Sequence, residues 1–426
     1  MRRGGPPASG SGKRPTVRDD ANGDASPQEQ EPLERVTPRV YKHTARVAEV
    51  HAKPIYGLLW NMVDLRHARC FATVGANRAH VYDAGLPPDC ELRLLQAFVD
   101  EDEDEHLYTL AWSLDENKGT PLLAVAGERG VIRVLDCHKG ERCRTLLGHG
   151  HAINDLKVCL KRPSLLYSAS KDEAIRVWSL RTGVCIMILA GAGGHRNEVL
   201  SCDVHPSGMR LASCGMDNTV CVWELERHEE QIQRAADFEG ETGAFDTRFV
   251  PYADYSTHRV HSNYVDCVRW VGDLLLTKSV DSKILMWRPV FEPRPAPQPP
   301  AWIADSEGLS TAMPPHPYGQ GDMELLQSYV FSDCSIWYMR FGLDFGCNTL
   351  AVGTVDGRVY VWDVRASPPS TAIKLSLPRC KRPVRMVAPS FDGRMLIVCA
   401  DNGCIYRFDD RSVLEDGSAA DSGSDD

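Results

Sequence analysis

The chain has 426 residues and a formal net charge of −10, and 43% of its residues are hydrophobic. This acidic balance argues against sequence-specific binding of duplex DNA and is compatible with a basic polypeptide partner. No apolar run is long enough to span a bilayer, and the first residues carry no signal-peptide pattern. The 15 cysteines include no Cys-x-x-Cys pair. We therefore expect an intracellular protein with no metal, no cofactor and no disulfide framework.

The two ends of the chain differ in composition from the middle. Residues 1–40 are rich in Gly, Pro, Ser and charged side chains and poor in apolar ones, which predicts a disordered N-terminal tail. Residues 411–426 are predicted to form an acidic C-terminal tail. The folded part is therefore expected to span residues 41–410.

Two successive segments repeat one pattern of Gly-His, Asp and Trp. The first segment has Gly148-His149, Asp172 and Trp178, and the second has Gly194-His195, Asp217 and Trp223. This pattern is typical of WD40 repeats, each of which forms a four-stranded antiparallel blade. We interpret His149 with Asp172, and His195 with Asp217, as buried hydrogen-bonded pairs that fix a turn rather than as catalytic groups.

Hydrophobic pairs that end a strand mark seven repeats. They are Val81-Tyr82, Val134-Leu135, Val177-Trp178, Val222-Trp223, Met286-Trp287, Val361-Trp362 and Arg407-Phe408. Leu135, Trp178 and Trp223 lie 43 and 45 residues apart, which is the WD40 period. Larger gaps predict insertions at 225–258, which opens with a polar helical run, and at 289–321, which is rich in proline. Both insertions are expected to be surface loops. The predicted fold is all-β, a seven-bladed WD40 propeller.

No catalytic pattern is evident. The sequence has no Gly-rich phosphate loop with Lys, no nucleophile elbow and no His-Glu-x-x-His, so we do not expect an enzyme. The densest charge cluster in the folded part is the run from Asp100 to Glu105. Two interpretations stay open for this run, a solvated loop or a patch that attracts a basic ligand.

Alignment of the repeats points to one end of the central channel. In each blade an aliphatic residue opens the innermost strand, and the next side chain is expected to point toward the channel mouth. These next residues are Tyr56, Tyr108, Asn154, Leu200, Asp266, Trp337 and Arg385. Blades six, seven, one and two are contiguous in a closed ring, so three aromatic side chains share one arc. Exposed rings there suit a methylated ammonium, and their packing together as an upper core layer is the alternative.

Eight further segments carry a resemblance that covers roughly residues 40–410. They are Phe71–Arg78, Leu122–Gly127, Leu147–Gly150, Ser168–Glu173, Ala190–Arg196, Ser213–Asp217, Asn263–Asp266 and Ile336–Tyr338. In order, they resemble the embryonic ectoderm development family of animals and its plant counterpart, the fertilization-independent endosperm family, which together form the extra sex combs family. The segments at Asn263 and Ile336 are not generic WD40 sequence, so the resemblance is specific.

The resemblance implies a non-catalytic subunit of the second Polycomb repressive complex. Members bind trimethyl-lysine of the histone H3 tail in an aromatic cage, and this binding stimulates the methyltransferase subunit. The residues that correspond to the cage are Tyr56, Tyr108, Trp337 and Tyr338, and those that correspond to peptide contacts are Tyr264 and Arg385. Strict alternation turns Tyr338 away from Trp337, so its place in the cage requires a local twist.

The resemblance also implies the partners and the compartment. The expected partners are the histone methyltransferase subunit, other Polycomb subunits and the methylated H3 tail, all in the nucleus and without membrane association. His258 in place of an Arg, and the different Pro-rich insertion, leave loop-mediated partner choice open. The alternative function is a generic WD40 scaffold, such as a ubiquitin-ligase substrate receptor.

Overall fold

The part of the chain that the computed structural model describes forms seven sheets of four or five strands. The described residues are 39–86, 89–240, 243–291, 321–369, 371–412 and 414. They belong to one compact unit that begins at Arg39. The N-terminal tail, nearly all of the Pro-rich insertion and most of the acidic C-terminal tail lie outside the described residues.

Each sheet is one blade, and its first strand lies at the channel. The first strands of neighbouring blades contact one another at six of the seven junctions, all except that between blades five and six. They are β2 (Ile55–Trp60), β6 (Leu107–Asp115), β10 (Ile153–Cys159), β14 (Val199–Val204), β19 (Val265–Val271), β23 (Gly342–Leu343) and β27 (Val384–Pro389). The second strands are β3 (Cys70–Gly75), β7 (Thr120–Gly127), β11 (Arg162–Ser170), β15 (Arg210–Gly215), β20 (Leu274–Ser279), β24 (Thr349–Gly353) and β28 (Met395–Ala400).

The third strands carry the hydrophobic pairs that mark the repeats. They are β4 (Arg78–Asp83), β8 (Ile132–Asp136), β12 (Ile175–Ser179), β16 (Val220–Glu224), β21 (Lys283–Val290), β25 (Arg358–Asp363) and β29 (Cys404–Asp410). The outer strands are β5 (Arg93–Val99), β9 (Glu141–Leu146), β13 (Cys185–Gly193), β18 (Tyr255–Thr257), β22 (Asp322–Val330), β26 (Ile373–Ser376) and β1 (Tyr41–Ala48). All seven predicted pairs fall in a third strand, and the prediction of a seven-bladed WD40 propeller is confirmed.

The hydrophobic core lies between adjacent blades. Trp223 of blade four, for example, shares a buried cluster with Tyr167 and Val177 of blade three. Trp178, Trp223 and Trp287 are among the largest fully buried side chains. Because each cluster joins two neighbours, the ring is stabilised blade against blade. Within the described residues, no helix is both long and apolar enough to cross a bilayer.

Residues 225–258 are not simply the surface loop that the sequence predicts. They contain helix α1 (Glu229–Ala236), whose Ile232 and Ala235 side chains pack into the core between blades three and four. Strand β17 (Arg248–Tyr252) then pairs in parallel with β13 as a fifth strand of blade three, and β18 completes blade four. Pro251 is accommodated because β17 is an edge strand, where an amide donor is dispensable.

Strand β1 closes the ring by pairing with β29. The antiparallel register runs from Tyr41 opposite Asp410 to Ala48 opposite Cys404. Glu49 follows directly, and its buried carboxylate accepts hydrogen bonds from the Thr73 hydroxyl at 2.5 Å and the Tyr82 hydroxyl at 3.1 Å, both in blade one. One buried anion therefore links the closing strand to the next blade.

Two histidines lie beside Glu49. The ligand atoms of Glu49, His51 and His80 are all within 4.8 Å of one another, which is close enough to consider a metal ion. The N–H of Lys53, however, donates to Nδ1 of His51 at 2.9 Å, so a neutral imidazole carries its proton on Nε2 and donates it to Glu49 at 2.6 Å. Glu49 is therefore held as a carboxylate that accepts hydrogen bonds from the neighbouring side chains. Burial raises the pKa of Glu49, but the interactions with His51 and His80 outweigh it and lower the pKa to about 2.

Replacement of Glu49 by Gln should therefore cause a pH-dependent loss of stability. A carboxylate whose pKa is lower in the folded state stabilises the fold above its unfolded pKa and loses this effect as the pH falls through its folded pKa. We expect Glu49→Gln to lower the free energy of unfolding by about 3 kcal/mol at pH 7 and by about half as much at pH 3. Urea denaturation at the two pH values measures this difference.

The control is Glu103→Gln, which removes an exposed carboxylate. It should change stability little at either pH. A penalty for Glu49→Gln that is equal at pH 7 and pH 3 would contradict the role of the charge.

Candidate functional site

Six of the seven blades have a β-bulge at the same position. The pairing register of the first strand shifts across the residue that follows the opening aliphatic one. These residues are Tyr56, Tyr108, Asn154, Leu200, Asp266 and Arg385. A bulge residue leaves the ladder and its side chain is re-aimed. The six side chains therefore start from one end of the channel.

Blade six departs from this pattern. Residues 336–341 lie outside any extended strand, so the prediction that Ile336 opens the innermost strand is wrong. Arg340 instead forms a bridge to β27, and its N–H donates to the carbonyl of Arg385 at 2.8 Å. Tyr338 has a φ of 64°, in the left-handed region. The side chain of Tyr338 is thus not governed by strand alternation, and it turns toward the other tyrosines.

Three tyrosine rings meet at the channel mouth, and we call Tyr56, Tyr108 and Tyr338 the tyrosine box. The rings of Tyr56 and Tyr108 are 5.3 Å apart and inclined at 85°. Tyr338 lies 5.5 Å from Tyr56 at 89° and 5.9 Å from Tyr108 at 58°. The three ring planes are therefore steeply inclined to one another. The spacing allows one cation to lie within about 6 Å of all three centroids.

Trp337 and Arg385 flank the tyrosine box. The Trp337 ring is 5.7 Å from Tyr338 and inclined at 82°, and the residue is 39% exposed. Arg385 lies 5.4 Å from the Tyr56 centroid and is held by Asp401 at 2.6 and 2.8 Å. The partly exposed Trp337 indole thus extends the cluster of rings at Tyr338, and contiguous apolar surface of this kind marks interaction sites.

Burial and hydrogen bonds fix the tyrosines as neutral rings. Burial raises the pKa of all three hydroxyls above the usual value of about 10. The single proton of the Tyr338 hydroxyl lies between two carbonyl acceptors, that of Tyr108 at 2.6 Å and that of Asn154 at 3.0 Å. The Tyr108 hydroxyl donates to the carboxylate of Glu128. At neutral pH the box thus presents uncharged aromatic faces.

Beneath the box, Arg340 crosses the channel. Its guanidinium pairs with the buried Asp155 at 2.5 Å and donates to the carbonyls of Asn154 at 2.6 Å and Leu200 at 2.9 Å. The same guanidinium lies 4.7 Å from the Tyr338 centroid. Arg340 therefore connects blade six to blades three and four and supports the Tyr338 ring from within the channel.

Tyr264, the other predicted peptide contact, lies immediately before β19. It is 41% exposed, and its N–H is held by the side-chain oxygen of Asn263 at 2.8 Å. Among the described residues it makes no ring contact with the tyrosine box. Its position before a first strand is at the same end of the propeller, so a peptide could contact both.

Known proteins resemble this chain over most of its length. The "WD domain, G-beta repeat" family model matches residues 140–179 and 183–224. The Oryza sativa "Polycomb group protein FIE1" is 42% identical over 373 residues, which is 87% of this chain and 92% of the relative. The Drosophila melanogaster "Polycomb protein esc" is 36% identical over 380 residues, which is 88% of this chain and 85% of the relative. The chain belongs to this Polycomb group family.

Solved structures agree on the fold. A Chaetomium thermophilum Polycomb Repressive Complex 2 bound to GSK126 contains a chain with a TM-score of 0.71 and 20% identity, covering 87% of this chain and 99% of that one. A second, in complex with H3K27me3 and H3K27M, has a TM-score of 0.70 and 20% identity, covering 87% and 98%. At these identities the likeness supports the fold alone.

In this Polycomb group chain, the acidic run before blade two is largely neutralised by arginines. Arg133 pairs with Asp100 and with the buried Glu105, the latter at 2.7 Å. Arg129 pairs with Asp102 at 2.8 Å and Asp104 at 3.7 Å, and Arg142 pairs with Glu101 at 3.6 Å. The run therefore serves mainly to hold the loop before β6. Neither interpretation from the sequence included these pairs, because the arginines lie 25 residues or more away in the chain.

The predicted histidine–aspartate pairs lie in larger hydrogen-bonded sets. His149 bonds to Asp172 at 2.8 Å and to Ser168 at 2.7 Å, and the Trp178 indole donates to the same serine. Burial raises the pKa of Asp172, but the hydrogen bond to His149 outweighs it and lowers the pKa to about 2. Blade four repeats the set, with His195 3.0 Å from Asp217. In each set both ring nitrogens of the histidine are hydrogen-bonded.

Sequence reasoning missed a related set in blade five. His261 bonds to Thr277 at 2.9 Å, and the Trp287 indole donates to the same threonine at 3.0 Å. The signal was weak because Val260, not glycine, precedes His261, and Thr277 replaces the serine of blades three and four. The Trp287 anchor was the feature that could have located it.

Arg340→Met should destabilise the protein strongly. The change removes one of two cationic partners of the buried Asp155 and leaves it with Lys157 at 2.8 Å. Loss of one partner from a buried ion pair has a typical cost of about 3–5 kcal/mol. Urea denaturation followed by tryptophan fluorescence measures the loss. Arg365→Met, which breaks an exposed pair with Asp363, is the matched control and should cost less than about 1 kcal/mol. Equal losses in the two variants would mean that Arg340 does not have this structural role.

Proposed function

We propose that this protein is a non-catalytic subunit of Polycomb repressive complex 2 that binds trimethyl-lysine of the histone H3 tail. The tyrosine box and Trp337 would surround the methylated ammonium, while Tyr264 and Arg385 would contact the peptide. The observation that carries the proposal is the set of three neutral rings, 5.3 to 5.9 Å apart, with the partly exposed Trp337 next to Tyr338. Membership of the Polycomb group family makes a chromatin ligand the natural candidate.

The chemistry of the site favours this class of ligand. A trimethylammonium group has no N–H to donate, so aromatic faces satisfy it without hydrogen-bond acceptors. Each cation–ring contact contributes about 0.5 to 2 kcal/mol, so three or four rings supply a few kcal/mol. Together with peptide contacts, this is consistent with a dissociation constant in the micromolar range, or about −8 kcal/mol.

A binding role fits the site better than catalysis. The pKa of each of the three tyrosine hydroxyls is raised, so they stay protonated at neutral pH. A raised pKa disfavours the phenolate that a tyrosine nucleophile would require, although Glu128 accepts the proton of Tyr108 in a hydrogen bond. Methyl transfer would belong to another subunit, and this chain would hold that subunit and sense its product.

The proposed mechanism is a shift of populations within the nuclear complex. A ligand changes the activity of its partner only through a difference in affinity for the active and inactive states. Binding of a methylated H3 tail at the box would favour the active state of the methyltransferase subunit. We choose the H3 tail trimethylated at lysine 27 as the test ligand because a complex whose chain has the same fold is in complex with H3K27me3.

A generic scaffold is the second candidate, since a WD40 propeller of this kind has a rim that could bind an unrelated peptide. In that case the rings would form an upper core layer and no preference for methylation would exist. Exposure of Trp337 favours the first proposal, because a core layer would cover it.

Calorimetric titration with an H3-tail peptide trimethylated at lysine 27 tests the proposal. The wild-type protein should bind it with micromolar affinity and bind the unmodified peptide at least about tenfold more weakly, since the rings supply a few kcal/mol. Tyr108→Ala should abolish this preference. Phe249→Ala, which removes an exposed ring on β17, is the control and should bind as wild type does. Equal binding of both peptides by the wild-type protein would support the scaffold instead.

Stimulation of methyl transfer can be separated from assembly. Tyr108→Ala should still assemble with the methyltransferase subunit, because the change lies on the rim and not in the core between blades. The reconstituted complex should, however, lose stimulation by trimethylated peptide. Methylation of histone H3 with and without that peptide measures this effect. Retention of stimulation by Tyr108→Ala would exclude the box as the sensor.

A further inference from the structure

Glu128 lies beside the tyrosine box and was not singled out from the sequence. It follows β7 directly, it is exposed, and its carboxylate accepts the hydrogen bond of the Tyr108 hydroxyl. Its backbone N–H is held by the carbonyl of His106 at 2.9 Å. The carboxylate is therefore attached to the edge of one wall of the box by an ordered segment of chain.

Among the described residues, Glu128 has no cationic partner. Other acidic side chains at this end of the propeller are paired, Asp102 and Asp104 with Arg129 and Asp401 with Arg385. A carboxylate has about four lone-pair sites, and the Tyr108 hydroxyl uses one. Glu128 thus brings an uncompensated negative charge and free acceptor capacity to the box.

These two properties distinguish between methylated lysines. A trimethylammonium has no N–H, a dimethylammonium has one and a monomethylammonium has two. Aromatic faces attract all of these cations through the ring quadrupole. A carboxylate adds a charge-assisted hydrogen bond only for the cations that carry an N–H, and such bonds are roughly twice as strong as neutral ones.

We propose that Glu128 is a specificity-determining residue that lets the box accept dimethyl- and monomethyl-lysine in addition to trimethyl-lysine. This inference rests on the proposed function. Its carboxylate accepts the N–H of the less methylated ligands while the rings hold the methyl groups. The protein therefore discriminates less between methylation degrees than a box of rings alone.

The geometry permits this contact. A cation over the Tyr108 ring lies within about 6 Å of its centroid, and the carboxylate adjoins the hydroxyl on the same ring. The Glu128 side chain is exposed, so it can reorient toward a ligand without disturbing the core. Arg340 and Arg385, the cations nearest to the box, are held by Asp155 and Asp401 and do not compete for Glu128.

The test is a set of calorimetric titrations of the full-length protein with four H3-tail peptides that carry tri-, di-, mono- or unmethylated lysine 27. The variant is Glu128→Gln, which keeps an acceptor for the Tyr108 hydroxyl but removes the charge. We expect affinity for the dimethyl and monomethyl peptides to fall about fivefold more than affinity for the trimethyl peptide, since a charge-assisted hydrogen bond is replaced by a neutral one.

Glu103→Gln is the charge-matched control. It removes one exposed carboxylate from the acidic run without contact to the box. It should change all four affinities alike, because long-range attraction acts on every cation. A uniform change in Glu128→Gln, or none, would overturn the inference while leaving the proposed function intact. A wild-type protein that does not distinguish methylated from unmodified peptide would overturn both.

Discussion

The buried pair between Arg340 and Asp155 is the interaction on which the end of the propeller that carries the tyrosine box depends. Two charges removed from water are tolerable only when each is paired and hydrogen-bonded. Here the guanidinium also satisfies the carbonyls of Asn154 and Leu200, and Asp155 also receives Lys157 at 2.8 Å and Ser201 at 2.8 Å. This network holds residues 336–341 across the channel. It acts together with the Tyr338 hydroxyl, which bonds to blades two and three, to hold Tyr338 against rings from other blades.

A nearly symmetric scaffold thus carries one asymmetric site. The bulge after the opening residue recurs in six blades, so the backbone geometry alone does not select a binding position. The side chains do, since blades one and two place tyrosines there, whereas blades three, four and five place Asn154, Leu200 and Asp266. The irregular segment in blade six adds Trp337 and Tyr338 to the same arc. The backbone features that repeat in the blades form the scaffold, and the side chains that differ between blades determine the chemistry of the site.

Sequence reasoning succeeded where the cause is local and failed where it is not. The anchor pairs, such as Val222-Trp223, are local to one repeat and located all seven third strands. Alignment of the first strands located Tyr56 and Tyr108, but Trp337 and Tyr338 lie in a segment that is not an extended strand, and Tyr338 has a left-handed φ of 64°. The pairing of β17 with β13, and of Arg133 with Glu105, joins residues far apart in the chain. A single sequence, read without an alignment of its relatives, contains no signal for such pairs.

The electrostatics of the box follow from how neighbouring charges are compensated. The Arg340 guanidinium lies 4.7 Å from the Tyr338 centroid, and the Arg385 guanidinium lies 5.4 Å from the Tyr56 centroid. Each of these two rings therefore already interacts with an arginine cation. An unpaired arginine there would repel a cationic ligand. Arg340 and Arg385 are instead neutralised by Asp155 and Asp401. Among the residues that the structure describes, the anionic Glu128 is left beside the box without a cationic partner, so the field there favours a cation even before the rings contact it.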